Sequence, residues 1–384
     1  MSSAEQRPEG VFGGFPFLWV FSVNHHRAPL ELRESLKRTE SCSQDFLNEI
    51  QESGWVSECA LLDTCNRWEF YAILCADSVR GLLVQRIARH FSMLPERLCS
   101  IAVQYQGSRM VQHLFEVSSG LDSQLIGETE ILGQVKQLHQ KATTCGTMGS
   151  CLDRVFSRAF QSAKWVRTHT QIGKGQVSIG NVVVDLASRI FGEMHHCRVL
   201  LLGSGEVGRL TAQALKSRGA KMLTCASRSR ERAEALALQV QGDSMAFEDF
   251  PARLQHYDIV IACTAAPGTI LNAYMVKEAM KKRAFRPLFL IDLAMPRDVE
   301  PPVSKIPQVF LYNLDDVSGI ANENLGGRQL EVAVCRRVLS SRSWSTWLEV
   351  LRRYRMQGFK RYLAHSGKVS EQEDCLTGSS CEEK

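Results

Sequence analysis

From Arg198 onward the sequence alternates short apolar runs with helical stretches, and one turn of that series is Gly203-Ser204-Gly205-Glu206-Val207-Gly208. The run 198–202 feeds the glycines, and a helical pattern to about Arg218 follows. Further apolar runs stand at 221–226, 258–263, 288–292 and 309–313, with a helical stretch at 230–239. Continuous apolar strands alternating with helices predict a parallel sheet covered on both faces, a doubly wound α/β fold.

The glycine spacing also carries chemistry. In this strand–turn–helix setting it permits a tight turn and lets backbone N–H groups approach a pyrophosphate at the helix N-terminus. The end of the second strand selects the nucleotide. Where an acid would hold a ribose 2′-hydroxyl, the chain has Ser227, Arg228, Ser229 and Arg230. Hydroxyls and guanidiniums suit a 2′-phosphate, so NADPH is favoured over NADH. A Rossmann domain that binds no dinucleotide is the alternative.

The preceding half is organised differently. Phe17 to Val23 reads as a strand, and Pro29 to Arg38 as a helix with Pro29 in its first turn. Cys59 to Thr64 and Trp68 to Leu74 read as strands on either side of a short break. Leu152, Val155, Phe156, Ala159, Phe160 and Ala163 form one helical apolar stripe. Arg154, Arg158 and Arg167 fall off it and read as a solvated basic face. Gly173 and Gly175 break that helix, and another runs from about Val177 to Phe191.

From Asp315 the pattern is helical again. The basic segment 328–363 reads as a solvated helix, with contact to a polyanion as the alternative. The acidic stretch 364–384 reads as disordered, and residues 1–14 as a loose arm. The expected division is therefore 1–170, 171–314 and 315–384, an α/β multidomain fold with a C-terminal helical segment.

Composition narrows the setting. The chain has 384 residues, enough for two or three domains, and a net charge of +5, which does not demand nucleic acid. Its 13 cysteines include no Cys-x-x-Cys pair, so they read as reduced thiols in a cytoplasmic protein, with no metal site. The apolar run Phe15 to Val23 is short and has no basic leader, so a buried strand is expected, not a signal or membrane helix.

Three groups outside the glycine turn are candidates for chemistry. In Asp63-Thr64-Cys65-Asn66-Arg67 the thiol sits at a break between strands, and Arg67 is placed to lower its pKa. A thiolate there can attack an activated carbonyl. Read alone, Cys65 is more often a small packed apolar residue, one of 13 cysteines. Asn24-His25-His26 and His113 offer general acids or bases. The segment from Ser119 to Gln134, polar and rich in glycine, is either a binding loop or a plain connection between helices.

At these residues the sequence resembles the glutamyl-tRNA reductases. Residues 22–29, with Asn24, His25, Ala28 and Pro29, follow the family's opening block, and 63–67 follow its Ser-Thr-Cys-Asn-Arg signature. Residues 113–136 follow a long block in which Thr129 and Glu130 replace the usual Pro and Gln. The segments 170–179, 291–298 and 311–316 match as well. The resemblance implies that Cys65 takes glutamate from glutamyl-tRNA as a thioester. NADPH held at Gly203, Ser204, Gly205, Glu206, Val207, Gly208, Ser227 and Arg228 then reduces it to glutamate 1-semialdehyde, the first step of five-carbon tetrapyrrole synthesis.

The resemblance places Thr64, Cys65, Asn66, Arg67, Ser123, Glu128, Thr129, Glu130 and Gln134 around the glutamate; the guanidinium of Arg67 is then expected to clamp its side-chain carboxylate. It marks His113 as important for activity. It also implies a homodimer along a long helix, and the reactivity of the product in that pathway points to hand-over to an aminomutase. The rival readings are a shikimate-type dehydrogenase without tRNA and a non-catalytic tRNA-binding relative.

Overall fold

The structure is a computed structural model. It describes residues 17–128, 130–170, 172, 179–284, 286–323 and 329–377. Thr129, the arm 1–14, the glycines at 173 and 175 with most of the 170–179 block, and the tail 378–384 lie outside the described residues.

The first half forms β1 (Phe17–Asn24), α1 (Leu30–Leu36), α2 (Glu40–Glu52), β2 (Val56–Asp63) and β3 (Arg67–Leu74). Then come α3 (Arg80–His90), α4 (Pro95–Ile101), β4 (Ala102–Gln106), α5 (Ser108–Ser118), α6 (Glu130–Thr144) and α7 (Ser150–His169). The four strands make an antiparallel sheet in the order β2-β3-β1-β4. Its central strands are buried on both faces because helices cover both. Along β1, Leu18 and Val20 join a core with α5, α6 and α7, while Trp19, Phe21 and Val23 face α2 and α3. Pro29 stands before α1 as its cap instead of in its first turn.

The second half adds α8 (Ile179–Phe191), β5 (Arg198–Leu202), α9 (Glu206–Ser217), β6 (Met222–Ser227), α10 (Arg230–Val240) and β7 (Asp243–Ala246). It continues with α11 (Phe250–Arg253), β8 (Ile259–Ala262), α12 (Ala273–Lys281), β9 (Leu288–Asp292), β10 (Val309–Asn313), α13 (Leu314–Glu323) and α14 (Gln329–Thr377). The six strands are parallel in the order β10-β9-β8-β5-β6-β7, the doubly wound arrangement expected. Alternate residues of β5 enter the cores on opposite faces, Val199 and Leu201 on one and Leu200 and Leu202 on the other. The strand order reverses between β5 and β8, so their C-terminal ends open a crevice beside the glycine turn.

Three expectations change. The basic segment is not a solvated helix: Cys335, Leu339 and Val350 of α14 are buried in the first half's core against α5 and α7. Nor is the α7 basic face free. Arg154 and Arg158 both pair with Glu349 on α14, and Arg167 donates to the Glu128 carbonyl at 3.0 Å. Helix α14 also runs to Thr377, through much of the stretch expected to be disordered. That stretch carries Glu, Gln and Lys at intervals and no proline, a composition compatible with helix.

Candidate active site

The β2–β3 connection is a tight hairpin with Cys65 at its tip. Thr64 builds the turn: its hydroxyl accepts from the backbone N–H groups of Asn66 and Arg67, each at 3.2 Å. Arg33 of α1 braces the far side, donating from Nη1 to the Cys65 carbonyl at 3.2 Å and to Asn66 Oδ1 at 2.6 Å. The thiol itself is half-buried and has no hydrogen-bond partner among the described residues. Its side chain packs against the core of the parallel sheet.

Arg67 does not do what the sequence suggests. It is buried beneath the turn, paired with Glu69 Oε1 at 2.8 Å and Asp122 Oδ2 at 3.0 Å, and it also donates to the Asp122 carbonyl. It is therefore not free to clamp a substrate carboxylate. Nor does it activate the thiol. Burial, and after it the charge of Glu128, pushes Cys65 up to about 11, while the opposing help comes from Lys37 and Arg33. The reason is tertiary. β3 turns Arg67 back into the sheet, where Glu69 two residues on shares its face.

Glu69 is the hub of this buried network. It accepts from Ser22 at 2.8 Å, from Tyr71 and from Arg67, and it meets His113 Nε2 at 2.8 Å. Burial opposes its charge, but His113 and Arg67 outweigh burial and hold the carboxyl far below the ordinary range. Burial likewise opposes a charge on His113, and the Glu69 carboxylate reverses that and raises its pKa. Glu69, His113 and Asp122 lie close enough to suggest a metal site, but the Arg67 guanidinium already supplies the cation there. His25 is neutral: burial, then His26 and Arg67, lower it to about 3.

The segment expected to be one long loop is shorter, because α6 begins at Glu130 and carries Gln134 on its second turn. Its remaining polar atoms are poorly satisfied. His25 Nδ1, Ser119 Oγ, Ser123 Oγ and Gln124 Oε1 are buried without hydrogen-bond partners among the described residues. Ser123 lies near enough to Glu128 to stabilise its charge, yet short of hydrogen-bond geometry. Buried polar atoms left unpaired cost free energy, and such a group of them fits a polar ligand. Burial raises Glu128, and burial followed by the charges of Glu128 and Glu206 pushes Glu130 up to about 7. Gln134 and Thr64 also line a cavity of about 630 Å³ between α2 and α6.

At the second sheet the glycines divide their work. Gly203 has φ +114°, and a Cβ there would lie 2.5 Å from the Cys263 carbonyl. A Cβ on Gly208 would lie 2.4 Å from the Gly203 carbonyl. A Cβ on Gly205 would meet nothing within 4 Å. Two glycines thus seat the helix on the strand, and the middle one leaves space on the ligand side. Ser204 bonds Ser227 at 3.0 Å, Glu206 and Val207 open α9, and Val207 packs into the core. Arg228 is exposed, with no hydrogen bond or ion pair among the described residues, while Arg230 pairs with Glu234. These residues fit a dinucleotide.

Comparison with known proteins agrees with both halves. Residues 21–170 match the family model of the glutamyl-tRNAGlu reductase N-terminal domain, and residues 185–320 match that of shikimate/quinate 5-dehydrogenase. Glutamyl-tRNA reductase of Chromohalobacter salexigens is 38% identical over 89% of this chain and 82% of its own length. The chain belongs to the glutamyl-tRNA reductase family. The reductase of Alcanivorax borkumensis is also 38% identical, over 81% of this chain and 74% of its own. The solved glutamyl-tRNA reductase of Methanopyrus kandleri covers 94% of this chain at 35% identity, with 87% of its own length matched and a TM-score of 0.54. As a member of this family the protein is an oxidoreductase enzyme, with a dehydrogenase-type domain for a nicotinamide nucleotide. Among its described helices none is long and apolar enough to cross a membrane.

Proposed function

We propose that this reductase takes the glutamyl group from glutamyl-tRNA onto Cys65 as a thioester and reduces it with NADPH to glutamate 1-semialdehyde. One observation carries the reading. The Cys65 side chain packs against the core of the nucleotide-binding sheet, and Glu130 beside it feels the charge of Glu206 in the glycine turn. Nucleophile and nucleotide site therefore share one cleft.

Within that cleft each residue has a task. Cys65 attacks the ester carbonyl, and the terminal ribose oxygen of the tRNA leaves with a proton. His113 has Nε2 committed to Glu69, so Nδ1 is the atom left to donate to a substrate oxygen. Ser119, Ser123, Gln124 and His25 offer the glutamate their unpaired atoms. Gly203 to Gly208 hold the pyrophosphate, and Ser227 and Arg228 hold the 2′-phosphate. NADPH, when bound there, supplies the hydride. The thiolate then leaves and Cys65 is regenerated. A dimer along α14 and delivery of the reactive aldehyde to an aminomutase belong to the same proposal.

The test is a quench experiment. Enzyme mixed with glutamyl-tRNA without NADPH should carry a glutamyl adduct on the Cys65 peptide, and NADPH should convert it to semialdehyde. Turnover with Cys65 unmodified throughout, or a wild-type rate from Cys65→Ser, would overturn the reading. Sedimentation of the intact chain tests the dimer.

A further inference from the structure

The two halves meet through adjacent residues of α1 that carry opposite charges. Arg33 is almost wholly buried, and all five of its N–H groups are used. Nε donates to the Ala28 carbonyl at 3.1 Å, and Nη1 to Cys65 O and Asn66 Oδ1. Nη2 reaches across the seam to both carboxylate oxygens of Asp315 on α13, at 2.6 and 2.8 Å. Asp315 also accepts from Gln124 Nε2 at 2.7 Å, and Asn322, two turns along α13, donates to the Gln124 carbonyl at 2.6 Å. Next to Arg33, Glu34 faces the other way in charge. It accepts from Arg297, in the loop after β9, through the backbone N–H at 2.7 Å, Nε at 2.9 Å and Nη2 at 2.8 Å.

We propose that Asp315 and Glu34 are positioning residues: with Arg33 and Arg297 they lock the nucleotide-binding sheet onto the thiol-bearing hairpin in the register that hydride transfer requires. The argument rests on the thioester reading above. An acyl group on Cys65 is fixed to the first half, whereas the nucleotide is fixed to the second. Reaction needs donor and acceptor atoms within about 3–3.5 Å, and a misplacement of about 1 Å costs on the order of 100-fold. A hinge between the halves has no such tolerance unless something fixes the seam.

The paired bridges do so in two ways. One guanidinium touches the nucleophile's own carbonyl and the opposite half at once, so any opening of the seam strands two donors of a buried cation. The alternation of sign also penalises a slide along the seam, which would bring Glu34 toward Asp315 and Arg33 toward Arg297. Asp315 also holds the Gln124 amide of the pocket, whereas Glu34 bonds only Arg297 across the seam and touches neither the Cys65 turn nor the pocket. Loss of Glu34 is therefore expected to spare acyl transfer and impair reduction.

The experiment separates the steps in Glu34→Ala. Without NADPH, acylation of Cys65 by glutamyl-tRNA is expected at the wild-type rate. On adding NADPH to the acylated enzyme, reduction is expected to fall on the order of 10- to 100-fold. The nucleotide-free variant is expected to show a larger radius of gyration by small-angle scattering. A wild-type reduction rate in the acylated variant overturns the proposal, whatever its shape in solution. If wild-type enzyme is never acylated, the thioester reading itself fails instead. Should Glu34→Ala not fold, Arg297→Ala, which opens the same bridge and leaves Arg33 and Gln124 paired with Asp315, must show the same selective loss, and its absence overturns the proposal equally.

Discussion

The carboxyl groups of Glu130, at the start of α6, and Glu206, in the glycine turn, repel each other across the seam between the two halves. Burial, Glu128 and Glu206 together push Glu130 up to about 7, from an ordinary value of 4.5. Because the folded value lies above the unfolded one, ionising Glu130 costs stability. The cost is absent below about 4.5, grows from there to about 7, and is complete above. Glu130→Gln should therefore be more stable than wild type in chemical denaturation at pH 8, and the gap should close by pH 4.5. The same substitution should flatten the dependence of KM for glutamyl-tRNA on pH between 6 and 8, about the Glu130 midpoint. Parallel pH profiles for the two enzymes would show that Glu130 does not face the substrate.

A thiol held at about 11 is mostly protonated at neutral pH. Iodoacetamide labelling of the Cys65 peptide, read by mass spectrometry, should therefore accelerate about tenfold per pH unit between pH 7 and 9. Burial and then Glu128 set that value, so Glu128→Gln should label faster than wild type at each pH in the range. A plateau by pH 8 would mean that the free enzyme activates the thiol in a way its surroundings do not account for.

How much of this was readable beforehand depends on where each signal resides. The parallel sheet was legible because β5, β8 and β9 are buried on both faces and must be apolar throughout. The edge strands β4 and β7 escaped notice for the converse reason: Ala102–Gln106 and Asp243–Ala246 are half-exposed and carry polar residues. The Cys65 turn and the glycine turn are legible as motifs, since local backbone geometry dictates their residue types. Arg67 and Arg154 were misread because their partners are distant in sequence. Asp122 and Glu349 lie 55 and 195 residues away from them, and no local pattern reports such a pair. Glu69 drew no attention at all, although its alternation with Arg67 and Tyr71 along β3 was a signal that all three share one face.

That shared face gives Arg67 a prediction opposite to that of a substrate clamp. It is buried, and two carboxylates depend on it. Arg67→Ala would leave Glu69 and Asp122 without the guanidinium they share, a loss of about 3–5 kcal/mol. Thermal unfolding should show a large drop in Tm even without substrate. A residue used only to hold glutamate would instead leave Tm unchanged and raise KM.

The three glycines of the nucleotide turn should separate in the same way. Gly208→Ala forces a Cβ to within 2.4 Å of the Gly203 carbonyl, so both stability and nucleotide binding should fall. Gly205→Ala places its methyl group in open space, so Tm should hold while NADPH binding, followed by fluorescence titration, is lost. Retained binding in Gly205→Ala would place the pyrophosphate elsewhere.

The proposed preference for NADPH makes Arg228 the residue that should discriminate between the two nicotinamide nucleotides. It stands at the end of β6, exposed, with no hydrogen-bonded partner of its own among the described residues. A charge-assisted bond to a 2′-phosphate contributes about 1.5–3 kcal/mol, which is about 10- to 100-fold in affinity. Arg228→Ala should raise KM for NADPH by that factor and leave KM for NADH unchanged. Arg228→Lys should recover only part of the loss, since a point charge replaces a planar fork. If both nucleotides weaken equally, Arg228 serves the fold of the turn, and the discrimination must come from Ser227 or from the serine it bonds, Ser204.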